Sequence, residues 1–326
     1  RHRLLNIVQS LRQIHFPDSE ENRRQAYFRL SFEEFFLYQI PVILRKRRKK
    51  EKRGIPFRRV ASDREDFEKA LPFVLTDAQK RVIDDIQTDM VLSCPMQRLL
   101  QGDVGSGKTV VAFFAALMAV KNGCQAVVMA PTEILAGQHA EKIQQLLSGS
   151  SVKHPVASGQ KKIRIGLLTG SLNAKDKKEM ILRIKKGEID IIIGTHALLQ
   201  EGVRFHKVGL IVIDEQHKFG VSQRALLPEK GANPHVLIMT ATPIPRTLAL
   251  TLYGDLDISC IDELPAGRRR ISTEWFFEDE RLDVFERVRG ELKAGRQAFI
   301  VYPVIEDNPK LELASARSMF KEFRDK

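Results

Sequence analysis

The sequence has little cysteine and no long apolar segment. Its three cysteines, Cys94, Cys124 and Cys260, lie far apart and include no C-x-x-C pair, so neither a disulfide framework nor a zinc site is indicated. The longest uninterrupted apolar run, Val110 to Val120, has eleven residues, whereas a membrane-spanning helix needs about 20. No charged-then-apolar signal pattern follows Arg1. We therefore expect a cytoplasmic protein without a membrane span, and we also expect it to be monomeric.

Acidic residues are also in deficit. The chain has 326 residues, with 53 Lys and Arg against 41 Asp and Glu, so its net charge is +12, which favours a polyanionic partner. Residues 45–53, RKRRKKEKR, carry +7 of that charge, and this excludes a uniformly basic surface. The run is interpreted as a solvated helix extension or a disordered segment in preference to a specific nucleic-acid contact.

Helical patterns occupy the N-terminal part. Apolar residues from Leu4 to Ile14 recur at spacings of three and four, as in a helix with one buried face. A second helix is predicted from near Ser19 up to the basic run, and Pro41 is expected to kink or interrupt it. The length of the chain suggests about two domains.

After Pro72, short β-branched runs alternate with amphipathic segments, a pattern typical of parallel βαβ architecture. The predicted fold class is α/β, with a doubly wound parallel sheet covered by helices on both faces. A polar Ser/Gly-rich stretch at 148–160 is predicted to be an exposed loop. The six predicted strands are Arg98–Gln101, Gln125–Ala130, Arg164–Thr169, Asp190–Gly194, Leu210–Asp214 and Val236–Thr240.

Residues 262–270, DELPAGRRR, have the composition of an interdomain linker. A new αβ unit then begins, with a helix predicted at Leu282–Leu292 and a strand at Gln297–Val301. The predicted domains are therefore a helical segment with the basic run (1–70), an α/β domain (71–264), and a linker with the start of a second α/β domain (265–326).

The sequence GDVGSGKT matches G-x-x-x-x-G-K-[ST], the phosphate-binding loop, and it lies between a predicted strand and a predicted helix. Its backbone N–H groups would surround phosphates, Lys108 would reach the β- and γ-phosphates, and Thr109 would bind Mg²⁺. The alternative is a chance glycine-rich turn, which this context disfavours. The predicted nucleotide-binding residues are Gly102, Asp103, Val104, Gly105, Ser106, Gly107, Lys108 and Thr109.

A second candidate site follows the apolar run 210–213. In the sequence DEQH, Asp214 would hold Mg²⁺ through water, and Glu215 would orient and deprotonate the attacking water. Gln216 and His217 belong to the same candidate catalytic group, although a strand-end acidic turn is the alternative. Thr240-Ala241-Thr242 is either a coupling element or a structural turn. The isolated histidines His139, His154, His206 and His235 lack metal-ligand spacing and are interpreted as surface or packing residues.

Together, GDVGSGKT, DEQH and TAT resemble the motifs of superfamily 2 helicases. The sequence segments around these motifs resemble RecG-type DNA branch-migration helicases over nearly the whole chain. Transcription-repair coupling translocases share the segments of the motor domain but not the N-terminal ones. These segments are IHFP (14–17), RLSFEEFFLYQ (29–39), LPFVLTDAQKRVIDDI (71–86), APTEILAGQH (130–139), LLTGS (167–171), IGTHALLQ (193–200), VIDEQHKFGVSQR (212–224) and MTATPIPRTLALTLYGDLD (239–257).

The resemblance implies a RecA-like fold for the predicted α/β domain and further site residues. Phe73 would stack on adenine, and Thr76 and Gln79 would complete its recognition, with a two-point hydrogen bond from the Gln79 amide. Strand-end groups would contact DNA phosphates, and Arg246 would contact DNA or act in coupling. The implied DNA-binding residues are Pro131, Thr132, Glu133, Thr169, Gly170, Ser171, Gly194, Thr195, His196 and Arg246.

The resemblance also implies a function: an ATP-dependent double-stranded-DNA translocase, using ATP and Mg²⁺, that remodels stalled forks and Holliday junctions in recombination and repair. It further implies a wedge domain before Arg1 and the rest of a second RecA-like domain, with its arginine finger, after Lys326. The chain alone is therefore expected to bind nucleotide but hydrolyse it poorly. A nucleotide-switched binding module and an RNA helicase are the alternatives; DEQH with PIPRT disfavours the latter.

Overall fold

The computed structural model divides into two compact units, Arg1–Arg268 and Arg269–Lys326. The domain limits given above stay predictions. Most of the predicted loop at 148–160, together with Gln216, His217, Arg246 and His154, lies outside the residues that the structure describes. Those residues are 4–58, 63–149, 162–215, 231–242, 254–265, 271–302, 317 and 319–321.

Two helices, α1 (Ile7–His15) and α2 (Glu20–Glu51), open the first unit. The Asn6 side chain accepts a hydrogen bond from the N–H of Val8, which caps the start of α1. Pro41 lies inside α2 and does not interrupt it, so that part of the prediction is wrong. A proline removes only one helical hydrogen bond, and α2 continues for several turns on both sides. The basic run up to Glu51 is a helix extension.

The α/β part contains a seven-stranded, wholly parallel sheet with the order β3-β4-β2-β5-β6-β1-β7. The six predicted strands are all present, with ends shifted by no more than two residues. The seventh strand, which pairs with β1 at the edge of the sheet, was not predicted, because the polar residues Asp257 and Ser259 interrupt its apolar pattern. The strands are β1 (Gln97–Gly102), β2 (Gln125–Met129), β3 (Ile165–Leu168), β4 (Ile191–Gly194), β5 (Val208–Asp214), β6 (His235–Thr240) and β7 (Asp257–Ile261).

Helices cover both faces of this sheet, as predicted. Val127 and Val128 are neighbours on β2, yet they belong to separate core clusters because successive side chains point to opposite faces. Both faces are therefore buried. Among the described helices, none is long and apolar enough to cross a membrane. The α-helices among the described residues of this part are α3 (Asp63–Ala70), α4 (Asp77–Met90), α5 (Lys108–Lys121), α6 (Glu133–Gly149) and α7 (Ala174–Lys185).

The segment before α3 is held against the sheet by a buried histidine. The Nε2–H of His235 donates to the carbonyl of Ile55 at 2.9 Å, and the N–H of Met96 donates to its Nδ1 at 2.9 Å. The ring of Phe57 packs edge-on against the imidazole, and Phe57 and Phe67 lie in the core. His235 is thus a packing residue, as the sequence indicated.

An ion network joins β7 to the rest of the unit. Arg98 on β1 donates to Asp89 at 2.8 Å and to Asp85 at 3.3 Å, both on α4. Its Nη1 also donates to the hydroxyl of Ser259 on β7, which in turn donates to Asp85 at 2.6 Å. The guanidinium is buried. Because it binds residues of α4 and of β7, these hydrogen bonds join α4, β1 and β7 in one polar network.

The second unit contains a short 3₁₀ turn at Glu278–Glu280 and the helix α8 (Arg281–Lys293). The helix confirms the prediction at Leu282–Leu292. The predicted strand at Gln297–Val301 is wrong, because these residues form no strand. Phe299 is 90% exposed, and no described residue of this unit forms a strand with which the segment pairs. A strand needs such a neighbour to bind its backbone groups.

Candidate functional site

The strand order places the two sequence motifs close together. At the carboxyl edge of the sheet, β6 lies between β5 and β1. Gly102 ends β1, Thr240 ends β6 and Asp214 ends β5. The phosphate-binding loop and the acidic pair therefore lie on either side of Thr240, at the edge where open α/β sheets bind their ligands.

The glycine positions of the loop have a steric reason. Gly105 and Gly107 have φ angles of +78° and +93°, a region that other residues rarely adopt. A Cβ on Gly107 would overlap the side-chain amide of Gln79. Gly107 directly precedes α5, so the loop turns sharply and presents the helix N-terminus, with its N–H groups, to a bound phosphate.

Lys108 is hydrogen-bonded within the loop and also interacts electrostatically with the acidic pair. Its ammonium group donates to the carbonyls of Gly102 at 2.7 Å and Asp103 at 3.0 Å. Burial lowers the pKa of Lys108, and the carboxylates of Glu215 and Asp214 oppose that shift. The cation and the two acids are therefore close enough to interact.

A buried hydroxyl in the loop fits an anion. Ser106 is fully buried, and its Oγ has no hydrogen-bond partner among the described residues. A Cβ on Gly102 would come within 2.6 Å of that oxygen, so glycine keeps the space around it open. A buried hydroxyl without a partner is costly, and a phosphate oxygen would satisfy it.

The oxygen atoms of Thr109 and Asp214 are suitable ligands for magnesium. The Thr109 hydroxyl and the Asp214 carboxylate supply hard oxygen ligands, which Mg²⁺ prefers. Within the described ranges, no group of three or more His, Cys, Asp or Glu side chains forms a metal site. Few protein ligands together with substrate phosphates are typical of Mg²⁺ in nucleotide sites.

The predicted adenine-binding residues have different surroundings. Thr76 and Gln79 form a capping box at the start of α4, in which the Thr76 N–H donates to Gln79 Oε1. Gln79 is buried, and its Nε2 donates to the Ser106 carbonyl at 2.7 Å. The amide thus joins α4 to the phosphate loop, and it would have to give up both bonds to pair with adenine. Phe73 is 44% exposed.

Glu215 is held by the strand beside it. Its φ of +48° is unusual for a non-glycine residue. Its carboxylate accepts hydrogen bonds from the N–H of Ala241 at 3.0 Å and from the hydroxyl of Thr240 at 3.5 Å. Two residues of the TAT motif therefore contact the predicted catalytic base directly.

Sequence reasoning missed one residue of this site. His139 was interpreted as a surface or packing residue, but its Nε2–H donates to Asp214 Oδ2 at 2.7 Å. Both side chains are buried, with His139 9% and Asp214 8% exposed. The two residues are 75 positions apart in sequence, so no local spacing indicated the contact.

The predicted DNA-contact residues lie on the other half of the same edge, where β3, β4 and β2 end. Thr132, Gly170, Ser171 and His196 are exposed there. Pro131 is partly exposed and directly precedes Thr132. Exposed hydroxyl, imidazole and backbone N–H groups are suited to phosphate contacts.

The remaining predicted contacts are less accessible. Thr169, Gly194 and Thr195 are buried, so their side chains do not face solvent in this structure. A Cβ on Gly194 would overlap the Leu168 carbonyl, which gives this glycine a packing reason. The carboxylate of Glu133 accepts the Ser171 N–H at 3.0 Å, and hydrogen bonds from Ser171 lower the pKa of Glu133. Glu133 thereby supports the turn that carries Ser171.

Comparisons with known proteins agree with this geometry. The family model for DEAD/DEAH box helicases matches residues 76–251. Relatives named ATP-dependent DNA helicase RecG are 44% identical in Streptococcus pneumoniae over 324 residues and 44% identical in Bacillus subtilis over 325 residues. Each alignment covers 99% of this chain and 46% of the relative. The chain thus spans less than half the length of these relatives.

Solved structures give the same fold. A structure of RecG bound to a three-way DNA junction is 38% identical to this chain, with a TM-score of 0.80, and the match covers 99% of this chain and 41% of that one. The DEAD-box helicase Mss116, bound to single-stranded RNA, is 18% identical, with a TM-score of 0.53 over 74% of this chain and 55% of its own. The second match supports the RecA-like helicase fold alone.

Proposed function

Because this chain belongs to the DEAD/DEAH box helicase family, we propose that it forms the ATP-binding half of the motor of an ATP-dependent DNA helicase. The observation that carries the proposal is the meeting of the phosphate loop, Thr240 and the Asp214–Glu215 pair at three adjacent strand ends. The similarity to RecG proteins supports branched double-stranded DNA as the substrate. Stalled forks and Holliday junctions, in recombination and repair, are the proposed context.

The loop residues bind the phosphates of the substrate ATP in this proposal. Backbone N–H groups at the start of α5 and the Ser106 hydroxyl contact phosphate oxygens, and Lys108 exchanges its carbonyl partners for the β- and γ-phosphates. Thr109 would hold Mg²⁺ through its hydroxyl, and Asp214 would hold it through water. When bound, Mg²⁺ neutralises negative charge on the phosphates.

Glu215 is the proposed base that orients the attacking water and takes its proton. Its carboxylate is already held by Thr240 and Ala241, so a movement of the β6 end changes the position of the base. We therefore favour a coupling role for the Thr240-Ala241-Thr242 motif. Gln216 and His217 are retained as candidate catalytic residues on the resemblance alone.

DNA binds in this proposal at the edge formed by the ends of β3, β4 and β2. The exposed groups at Thr132, Gly170, Ser171 and His196 contact phosphates and therefore position DNA without reading its sequence. Phosphate contacts release counterions, so the affinity for DNA falls steeply with salt.

Nucleotide binding and DNA preference test the proposal together. ATP affinity is measured for this chain, and the ATPase rate is measured for the full-length protein with forked DNA, linear duplex, single-stranded DNA and RNA. We expect Lys108→Ala to weaken ATP binding at least about tenfold, since an ammonium–phosphate contact contributes over 1.4 kcal/mol. Lys175→Ala on α7, an exposed lysine, is the control and leaves binding unchanged.

Forked DNA is expected to stimulate hydrolysis more than the other nucleic acids. Equal stimulation by every polyanion would contradict a junction-specific helicase. Nucleotide binding by the full-length protein without any stimulated turnover would favour a nucleotide-switched binding module, and stimulation of its turnover by single-stranded RNA would favour an RNA helicase.

A further inference from the structure

One helix, α6, connects the two halves of the strand-end edge. It begins at Glu133, whose carboxylate binds the Ser171 N–H in the proposed DNA-contact region. His139 follows six residues later and binds Asp214 in the nucleotide site. At 1.5 Å per residue, the two positions are about 9 Å apart along the helix axis. Both contacts therefore lie within the first two turns of one helix.

We propose that His139 is a positioning residue for Asp214 and that it links this carboxylate to the placement of α6. The inference rests on the proposed function, because it assigns Asp214 to Mg²⁺ binding. His139 itself contacts neither the nucleotide nor the metal in this proposal.

The contact has the chemistry of a second layer around a metal site. A buried carboxylate needs hydrogen bonds to replace its lost contacts with water, and those bonds hold it in one orientation. The imidazole N–H occupies Oδ2 of Asp214 and thereby restricts rotation of the carboxylate. Hydrogen bonds of this kind orient metal ligands, and their removal costs about 10- to 100-fold in metal affinity or activity.

A comparison within the chain separates this role from simple packing. His235 is also buried, but its two ring nitrogens bind the backbone at Ile55 and Met96, far from the acidic pair along the strand. His139 instead binds a carboxylate of the candidate site. Because β2, which precedes α6, is paired with β5, α6 and Asp214 belong to neighbouring elements.

The link to α6 has a consequence for DNA. A ligand that displaces the Glu133–Ser171 contact changes the position of the first turn of α6, and His139 lies on the second turn. Because His139 is hydrogen-bonded to Asp214, a shift of His139 also moves the Asp214 carboxylate. DNA at this edge should therefore alter magnesium-dependent nucleotide binding, and it should do so through His139.

The test measures the affinity of this chain for fluorescent ADP in Mg²⁺ and in EDTA. For His139→Ala, we expect the affinity to fall about tenfold in Mg²⁺ and to change less than about twofold in EDTA. His139→Gln keeps an N–H donor and should restore most of the affinity. Gln138→Ala, an exposed neighbour on α6, is the control and should match wild type.

Asp214→Asn tests the pairing. If His139 acts through Asp214, His139→Ala should cause no further decrease in the Asp214→Asn background. Forked DNA should change the Mg²⁺-dependent ADP affinity of wild type and of His139→Gln but not of His139→Ala.

Several outcomes would overturn the inference. Equal decreases in Mg²⁺ and EDTA would indicate a purely structural histidine, as would a failure of His139→Gln to restore binding. Wild-type affinity in His139→Ala would also refute it while leaving the proposed function intact. Absence of any Mg²⁺-dependent ADP binding in wild type would instead refute the proposed function, and the inference with it.

Discussion

At the scale of single residues, the candidate site contains positive φ angles, a backbone conformation that residues other than glycine rarely adopt. Glu215 has a φ of +48° and Gly107 a φ of +93°, and both lie at the junction of a strand or loop with the site. Such conformations persist where surrounding contacts hold them. Glu215 is held by Thr240 and Ala241, whereas Gly107 relies on having no side chain.

Gly107→Ala should therefore impair both folding and nucleotide binding. The substitution forces a left-handed conformation on alanine, which costs about 1–2 kcal/mol, and places a methyl group against the Gln79 amide. We expect ATP affinity to fall at least about tenfold, measured by fluorescent nucleotide titration. Gly137→Ala on α6 is the control: a Cβ there meets nothing within 4 Å, and alanine stabilises a helix by about 1 kcal/mol. Equal behaviour of the two variants would contradict the steric explanation.

Among the secondary-structure elements, the polar network of Arg98 explains how the edge strand β7 joins the sheet. Ser259 on β7 and the carboxylates on α4 share the same guanidinium. Because α4 carries Thr76 and Gln79 at its start, this network also fixes the element that contacts the phosphate loop.

Arg98→Met should lower the free energy of unfolding by about 3 kcal/mol, because it leaves Asp89, whose side chain is 19% exposed, without its cation. Arg81→Met provides the matched control, since the pair of Arg81 with Asp262 is solvent-exposed and such pairs contribute at most about 1 kcal/mol. Urea denaturation of both variants measures the difference. A decrease for Arg98→Met no larger than for Arg81→Met would show that the network does not stabilise the fold.

His235 makes the attachment of the segment before α3 dependent on pH. Burial lowers the pKa of His235 below the ordinary value of 6.5, so the unfolded chain takes up the proton first as the pH falls. The stability that neutral His235 contributes is therefore complete above about pH 6.5 and is lost as the pH falls toward the native pKa. When the pH is lowered from 7.5 to 5.0, the urea midpoint of the wild type should decrease more than the midpoint of His235→Asn. An equal decrease would exclude His235 as a source of the pH dependence.

Over the molecule as a whole, charge is concentrated rather than spread. The basic run at 45–53 provides +7 of the net +12, and α2 continues through it as far as Glu51. Lys46 binds Asp257 at 2.7 Å, so this member of the run contacts the edge strand β7. The arginines of the run do not take part in the contact between Lys46 and Asp257.

Neutralising Arg45, Arg47 and Arg48 to Gln together tests whether the run binds DNA. If these side chains bind phosphates, the slope of log affinity against log salt should become shallower by about 0.9 for each phosphate that is no longer neutralised. Duplex binding between 50 and 200 mM salt measures it. Lys46→Gln is the control and should leave the slope unchanged. An unchanged slope in the triple variant would support a solvated helix extension.

The amino-acid sequence was sufficient to predict the candidate chemistry and most of the strands and helices. The phosphate loop, the acidic pair at the end of β5 and six of the seven strands were predicted from it, because each depends on residues that are neighbours along the chain. A glycine that permits positive φ, or an apolar run buried on both faces, is visible in a window of a few residues.

The meeting of distant residues, in contrast, is visible only in the folded chain. His139 binds Asp214 across 75 positions, and the buried Gln125 amide binds the carbonyls of Ile184 and Ile189 and the N–H of His206. The strand prediction at Gln297–Val301 failed because a strand needs a neighbouring strand to bind its backbone groups, and the local pattern does not show whether one is present. Local periodicity records which face of an element is buried, whereas strand order determines which elements lie side by side, and no period in the sequence encodes that order.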